Sequence, residues 1–92
     1  MQFEIPHEAV VKYMERRKTD IDNCRLALKN GDLTLLETVG HQLKGNGVTF
    51  GFPEISTIGE ALEAAAKQHN ADAAAIQVDA LASVVANSPI LH

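Results

Sequence analysis

Three side chains near the middle of the chain, His41, Lys44 and Glu63, are of types that together can move a phosphoryl group. An imidazole nitrogen with a free lone pair attacks phosphorus. An ammonium group one helical turn away neutralises the anionic oxygens, and a carboxylate can hold the other ring nitrogen and so fix the tautomer. That chemistry requires a ring that faces outward and a carboxylate that reaches it. Both conditions depend on the elements that carry the residues.

Five of the six glycines fall between positions 40 and 59, and Gly40, Gly45 and Gly47 crowd around His41. The stretch otherwise reads as helix, where each glycine costs ~1 kcal/mol relative to alanine. A helix weakened in this way needs bare backbone, for a neighbour to pack against or for a partner to approach. Gly40 and Gly47 lie near the apolar stripe and read as packing glycines, whereas Gly45 lies opposite it and reads as a contact glycine.

Prolines and short polar turns divide the chain into four helical segments, about 7–30, 33–51, 53–69 and 71–87. Pro6 and Pro53 stand at helix starts, Asn30-Gly31-Asp32 reads as a stop and a cap, and His69-Asn70-Ala71-Asp72 is a second turn. Each segment carries an apolar stripe at helical spacing. The stripes are Val10, Met14, Ile21, Cys24 and Leu28; Leu36, Val39, Leu43 and Phe50; Ile55, Ile58, Leu62 and Ala66; and Ala74, Val78, Leu81, Val84 and Val85. Arg17 interrupts the first, and is expected to extend to solvent or pair with a carboxylate. Short connections make successive helices antiparallel neighbours, so the expected fold is all-α, an antiparallel up-down four-helix bundle in a single domain over residues 1–92.

At 100° per residue, Val39, Leu43 and Phe50 fall within about 60° of Leu36, while His41 lies about 140° away, Lys44 about 80° and Gly45 about 180°. His41 therefore points outward. It precedes Gly51 by ten residues and Glu63 follows Pro53 by ten, so both lie ~15 Å from the intervening turn and at the same height in a hairpin. Glu63 and Lys67 fall about 80° and 120° off their own stripe, on the flank that carries Lys44 and His41. Glu63 is thus placed to accept from Nδ1 and leave Nε2 open. Its i, i+4 spacing to Lys67 also allows an ordinary surface ion pair.

Composition narrows the alternatives. Eight Lys and Arg against twelve Asp and Glu give a net charge of −4 and no electrostatic footprint for nucleic acid. The lone Cys24 excludes an intrachain disulfide and suits a reducing compartment. No apolar run approaches the ~20 residues that span a bilayer, and the N-terminus lacks the features of a secretion signal, so a cytoplasmic protein is expected. His7, His69 and His92 have no partner pattern and read as surface residues; no metal site is expected. Gly45-Asn46-Gly47 follows no strand and lacks the ending of a nucleotide-binding loop.

His41-Gln42-Leu43-Lys44-Gly45, with Gly51 ten residues after the histidine and then Leu62-Glu63, resembles the signature of histidine-containing phosphotransfer domains. The likeness is gapless from His41 to Glu63, and the helix pattern extends it over nearly the whole chain. Gln42 and Gly40 depart from it, standing where many members have a basic residue and alanine. The resemblance implies a four-helix phosphocarrier of two-component phosphorelays without a nucleotide site. His41 would be the phosphorylated residue, Lys44 and Gly45 its helix neighbours and Glu63 the ring-orienting partner, with Lys67 and Val48 as supporting or docking positions. It implies response-regulator receiver domains and a hybrid or upstream histidine kinase as partners. No cofactor is expected in this chain, and Mg²⁺ is expected in the receiver. A monomer is expected, and Met1 with the short tail after Pro89 predicts a free-standing protein. Two other readings of the same residues stay open, a receiver-binding scaffold that transfers nothing and the phosphoacceptor domain of a larger kinase.

Overall fold

A computed structural model describes residues 5–91, with the side chain of Leu91 left undescribed. Four helices form in order: α1 (His7–Asn30), α2 (Leu33–Asn46), α3 (Pro53–Lys67) and α4 (Ala71–Ala86). Short 3₁₀ turns follow α2 at Val48–Phe50 and α4 at Pro89–Leu91. Strands are absent among the described residues. α1 packs on α2 and α4, and α3 packs on α2 and α4, which closes a four-helix bundle. His7 and His69 are exposed, as expected, whereas His92 lies outside the described residues, as does Met1.

The turns follow from the local sequence. α1 runs unbroken to Gly31, whose φ of 71° takes the left-handed conformation that glycine adopts without strain. The Asp32 amide then donates to Ala27 O at 2.8 Å, and the Asp32 carboxylate caps α2 by accepting from the Leu35 amide at 3.1 Å. Asn70 caps α4 in the same manner, accepting from the Ala73 amide at 3.0 Å.

The second helix is shorter than its periodicity predicts. A single helix over 33–51 is expected, yet α2 ends at Asn46 and the chain tightens into a 3₁₀ turn. The cause is tertiary. The Ser56 hydroxyl of α3 accepts from the Val48 amide at 2.8 Å, which takes that amide out of the α-helical ladder, and donates at 3.4 Å to Leu43 O, which also keeps its helical bond from the Gly47 amide at 3.0 Å. Gly47 permits the approach, because a Cβ there would sit 2.5 Å from the Ser56 amide nitrogen.

The core is the predicted set of stripes with three adjustments. Met14, Leu36, Leu43, Ile55, Leu62, Val78, Leu81 and Cys24 are fully buried. Val10, Leu28, Phe50 and Val84 are only partly buried, being near helix ends or the bundle margin. Tyr13, Ala27 and Ala65, outside the predicted stripes, are buried as well, and so is Arg17. Tyr13 stacks on Phe50 and Phe52, with ring centroids 4.4 and 5.9 Å apart, and fixes α1 to the α2–α3 turn.

The α2–α3 contact is the closest in the bundle because two glycines face each other across it. A Cβ on Gly40 would lie 2.5 Å from the Glu63 amide nitrogen, and one on Gly59 would run into the backbone nitrogen of Lys44. Both obstacles are backbone, which cannot swing aside. Gly45 meets nothing within 4 Å. Gly59→Ala should therefore lower the unfolding free energy by about 1–3 kcal/mol through overpacking. Gly45→Ala should leave it unchanged or raise it by up to ~1 kcal/mol through helix propensity. Urea denaturation of the two variants measures this, and equal effects would contradict the packing account.

Candidate functional site

The close α2–α3 contact determines what His41 meets. With Gly40 one residue earlier and bare, the α3 backbone at Glu63 comes near enough for its carboxylate to reach up to the ring. The His41 side chain is 75% exposed and that of Glu63 only 10%. His41 Nδ1 lies 2.8 Å from Glu63 Oε2, across the hairpin as the height-matching argument requires. A carboxylate only accepts, so Nδ1 carries the proton and the neutral ring keeps its lone pair on Nε2. Nε2 has no hydrogen-bond partner among the described residues.

Two ammonium groups converge on the same carboxylate. Lys44 Nζ is 3.8 Å from Glu63 Oε1 and Lys67 Nζ is 3.9 Å from Oε2, one from each helix of the pair. Both lysines are about half exposed, so each can leave Glu63 for a nearby anion without loss of packing. Gly45 leaves a bare patch one turn beyond His41, and Val48, 64% exposed, sets an apolar side chain one turn further along. The structure thus gathers His41, Lys44, Glu63 and Lys67 on one flank of the α2–α3 pair, with Gly45 one turn along α2 and Val48 exposed in the 3₁₀ turn beyond it.

The family model for the Hpt domain matches residues 8–88. The chain belongs to the Hpt family. No curated protein and no solved structure matches it significantly. Membership gives the class of activity, histidine phosphotransfer within a phosphorelay, in a family whose domains are carriers rather than catalysts. No helix among the described residues is long and apolar enough to cross a membrane. Nor do any three His, Cys, Asp or Glu side chains among them group so as to hold a metal ion.

Several polar residues of this Hpt domain escape a reading by periodicity. Tyr13 Oη donates to Asn46 Oδ1 at 2.7 Å, and Arg17 Nη1 donates to the same oxygen at 3.5 Å. Arg17 also lies over the Tyr13 ring, 4.2 Å from its centroid, and its Nε is 2.8 Å from Asp20 Oδ2. That last contact is an ion pair whose N–H is not aligned on the oxygen. The expected carboxylate partner of Arg17 is therefore Asp20, one turn along its own helix. Asn46 and Ser56 are bound to partners far off in sequence, and no local pattern marks them.

Burial works to raise the Glu63 carboxyl pKa, but the hydrogen bond from His41 and the charges of Lys67, His41 and Lys44 outweigh it. The group is held below the ordinary glutamate value of 4.5. A carboxylate depressed in the folded state adds stability that is fully present above its unfolded pKa and is lost as pH falls through the folded one. Unfolding free energies of the wild-type chain and Glu63→Gln should therefore draw together as pH drops below 4.5. A difference that stays constant from pH 7 down through that range would contradict the ion-paired state of Glu63.

Proposed function

We propose that the chain is a stoichiometric phosphocarrier whose His41 takes a phosphoryl group from an aspartyl phosphate of a response-regulator receiver domain and returns it to another. One observation supports this above the rest: Glu63 holds Nδ1 at 2.8 Å while the ring stands 75% exposed, so Nε2 faces solvent as a ready nucleophile.

In the transfer step the Nε2 lone pair attacks phosphorus in line with the aspartate oxygen. The N–P bond forms as the P–O bond breaks, and the aspartate departs as a carboxylate. The Nδ1 proton stays where it is, and the ring becomes a cation balanced by Glu63. Lys44 and Lys67 turn from Glu63 to the phosphoryl oxygens. Charge on the transferring group is otherwise offset in the receiver, by its Mg²⁺. Gly45 makes room for the receiver's active site and Val48 offers apolar surface to its docking face. The rigid α2–α3 pair keeps the nucleophile in place during docking. The reverse reaction passes the group on, with a hybrid or upstream histidine kinase as its first source. The carrier works as a cytoplasmic monomer.

Mixing the protein with a receiver phosphorylated from labelled acetyl phosphate tests the proposal. Acid-labile label should appear on the chain and be absent from His41→Gln; label retained by that variant would refute the assignment. Lys44→Ala should slow transfer roughly fivefold, since an exposed charge interaction is worth up to about 1 kcal/mol. Unchanged kinetics would remove Lys44 from the mechanism. Docking with no transfer in the presence of Mg²⁺ would instead make the chain a receiver-binding scaffold.

A further inference from the structure

On the other flank of α2, away from Lys44 and Glu63, a groove of about 440 Å³ runs between α1 and α2. It is lined by Arg16, Arg17, Thr19, Asp20, Gln42 and Asn46, none of them apolar. Two features make it more than a gap between helices. The first is its unbalanced charge. Arg16 and Arg17 face a single carboxylate, that of Asp20, and Arg16 is exposed and has no ion-pair partner among the described residues. In a chain of net charge −4, this is a local positive excess.

The second feature is donors with nothing to donate to. Asn46 Oδ1 is occupied by Tyr13 and Arg17, which orients the amide and leaves Nδ2 without an acceptor among the described residues. Arg17 is only 8% exposed, and its Nε, 2.8 Å from Asp20 Oδ2 but not aligned on it, is a buried donor without a hydrogen bond. Gln42 adds an exposed amide at the rim. A buried guanidinium with one unaligned N–H, beside an oriented amide and an exposed arginine, presents a constellation that fits a carboxylate.

We infer that this groove is a second docking point, which receives an aspartate or glutamate side chain of the receiver domain that engages His41, with Arg16 as its principal ion-pair partner. The inference rests on the proposed phosphocarrier reading. Gln42 and Asn46 lie within ~8 Å of His41 along the helix axis. A standard interface of roughly 800 Å² per partner is a disc of roughly 16 Å radius, so a protein centred on His41 covers the groove mouth. Receivers without an acidic side chain at that point would leave the donors covered and unsatisfied, which discriminates against them.

The test is a panel of the source organism's receiver domains, phosphorylated with acetyl phosphate and assayed for transfer to wild type, Arg16→Glu and Lys18→Glu. Lys18 is exposed on α1, about 160° around the helix from Arg16, and its substitution makes the same change in net charge. For the receiver that labels wild type best, Arg16→Glu should raise KM by on the order of tenfold and flatten its dependence on salt. Lys18→Glu should leave KM within about twofold, the size expected of a charge outside the interface. Equal effects of the two substitutions, or none from Arg16→Glu, would overturn the inference while leaving the carrier reading intact. Failure of every receiver to label the wild-type chain would instead remove the carrier reading itself.

Discussion

The bundle brings α2 and α3 together more closely than side chains permit, and the site depends on that approach. Gly40 and Gly59 face backbone across the contact, and any Cβ at either position would collide with it. A pair of helices held apart by alanines would leave the Glu63 carboxylate short of the His41 ring. The glycines lower local helix propensity by ~1 kcal/mol each, and the packing of Leu43, Ile55 and Leu62 beside them, all essentially fully buried, offsets that loss. Gly45 is different in kind, since it is exposed and nothing stands near it.

Once the helices are this close, electrostatics divides the labour. Glu63 is nearly buried and must be compensated, and it takes its partners from both helices: His41 and Lys44 from α2, Lys67 from its own. The shortest of these contacts orients the ring, while the two longer ones hold half-exposed ammonium groups at the same carboxylate. A single carboxylate thus sets the tautomer of the His41 ring and stations two cations beside it. The α1 flank carries a separate polar network, Tyr13–Asn46–Arg17–Asp20, that ties the end of α2 to α1 and shapes the groove beside the histidine.

Much of this was legible in the residues. Helical periodicity and the turns at Asn30-Gly31-Asp32 and His69-Asn70 mark four helices, and their ends lie within two residues of expectation except at one place. Counting outward from the α2–α3 turn put His41 and Glu63 level, because antiparallel helices with a short connection share one axial scale. The exception is the end of α2. Leu43 to Phe50 keeps an apolar spacing compatible with helix, and Ser56, from the next helix, takes the Val48 amide out of it. Tyr13 and Asn46 were invisible for a similar reason, since a contact across 33 residues leaves no mark on local pattern. Arg17 could be read as needing a carboxylate, but not as the floor of a groove.

The protonation and phosphorylation state of one imidazole tests the account most directly. Long-range ¹H–¹⁵N correlation spectra of the His41 ring, recorded before and after transfer from a phosphorylated receiver, report which nitrogen carries the proton and which the phosphorus. The account predicts a proton on Nδ1 in the free protein and ³¹P coupling to Nε2 after transfer. A free ring protonated at Nε2, or phosphorus on Nδ1 or on another residue, would contradict it.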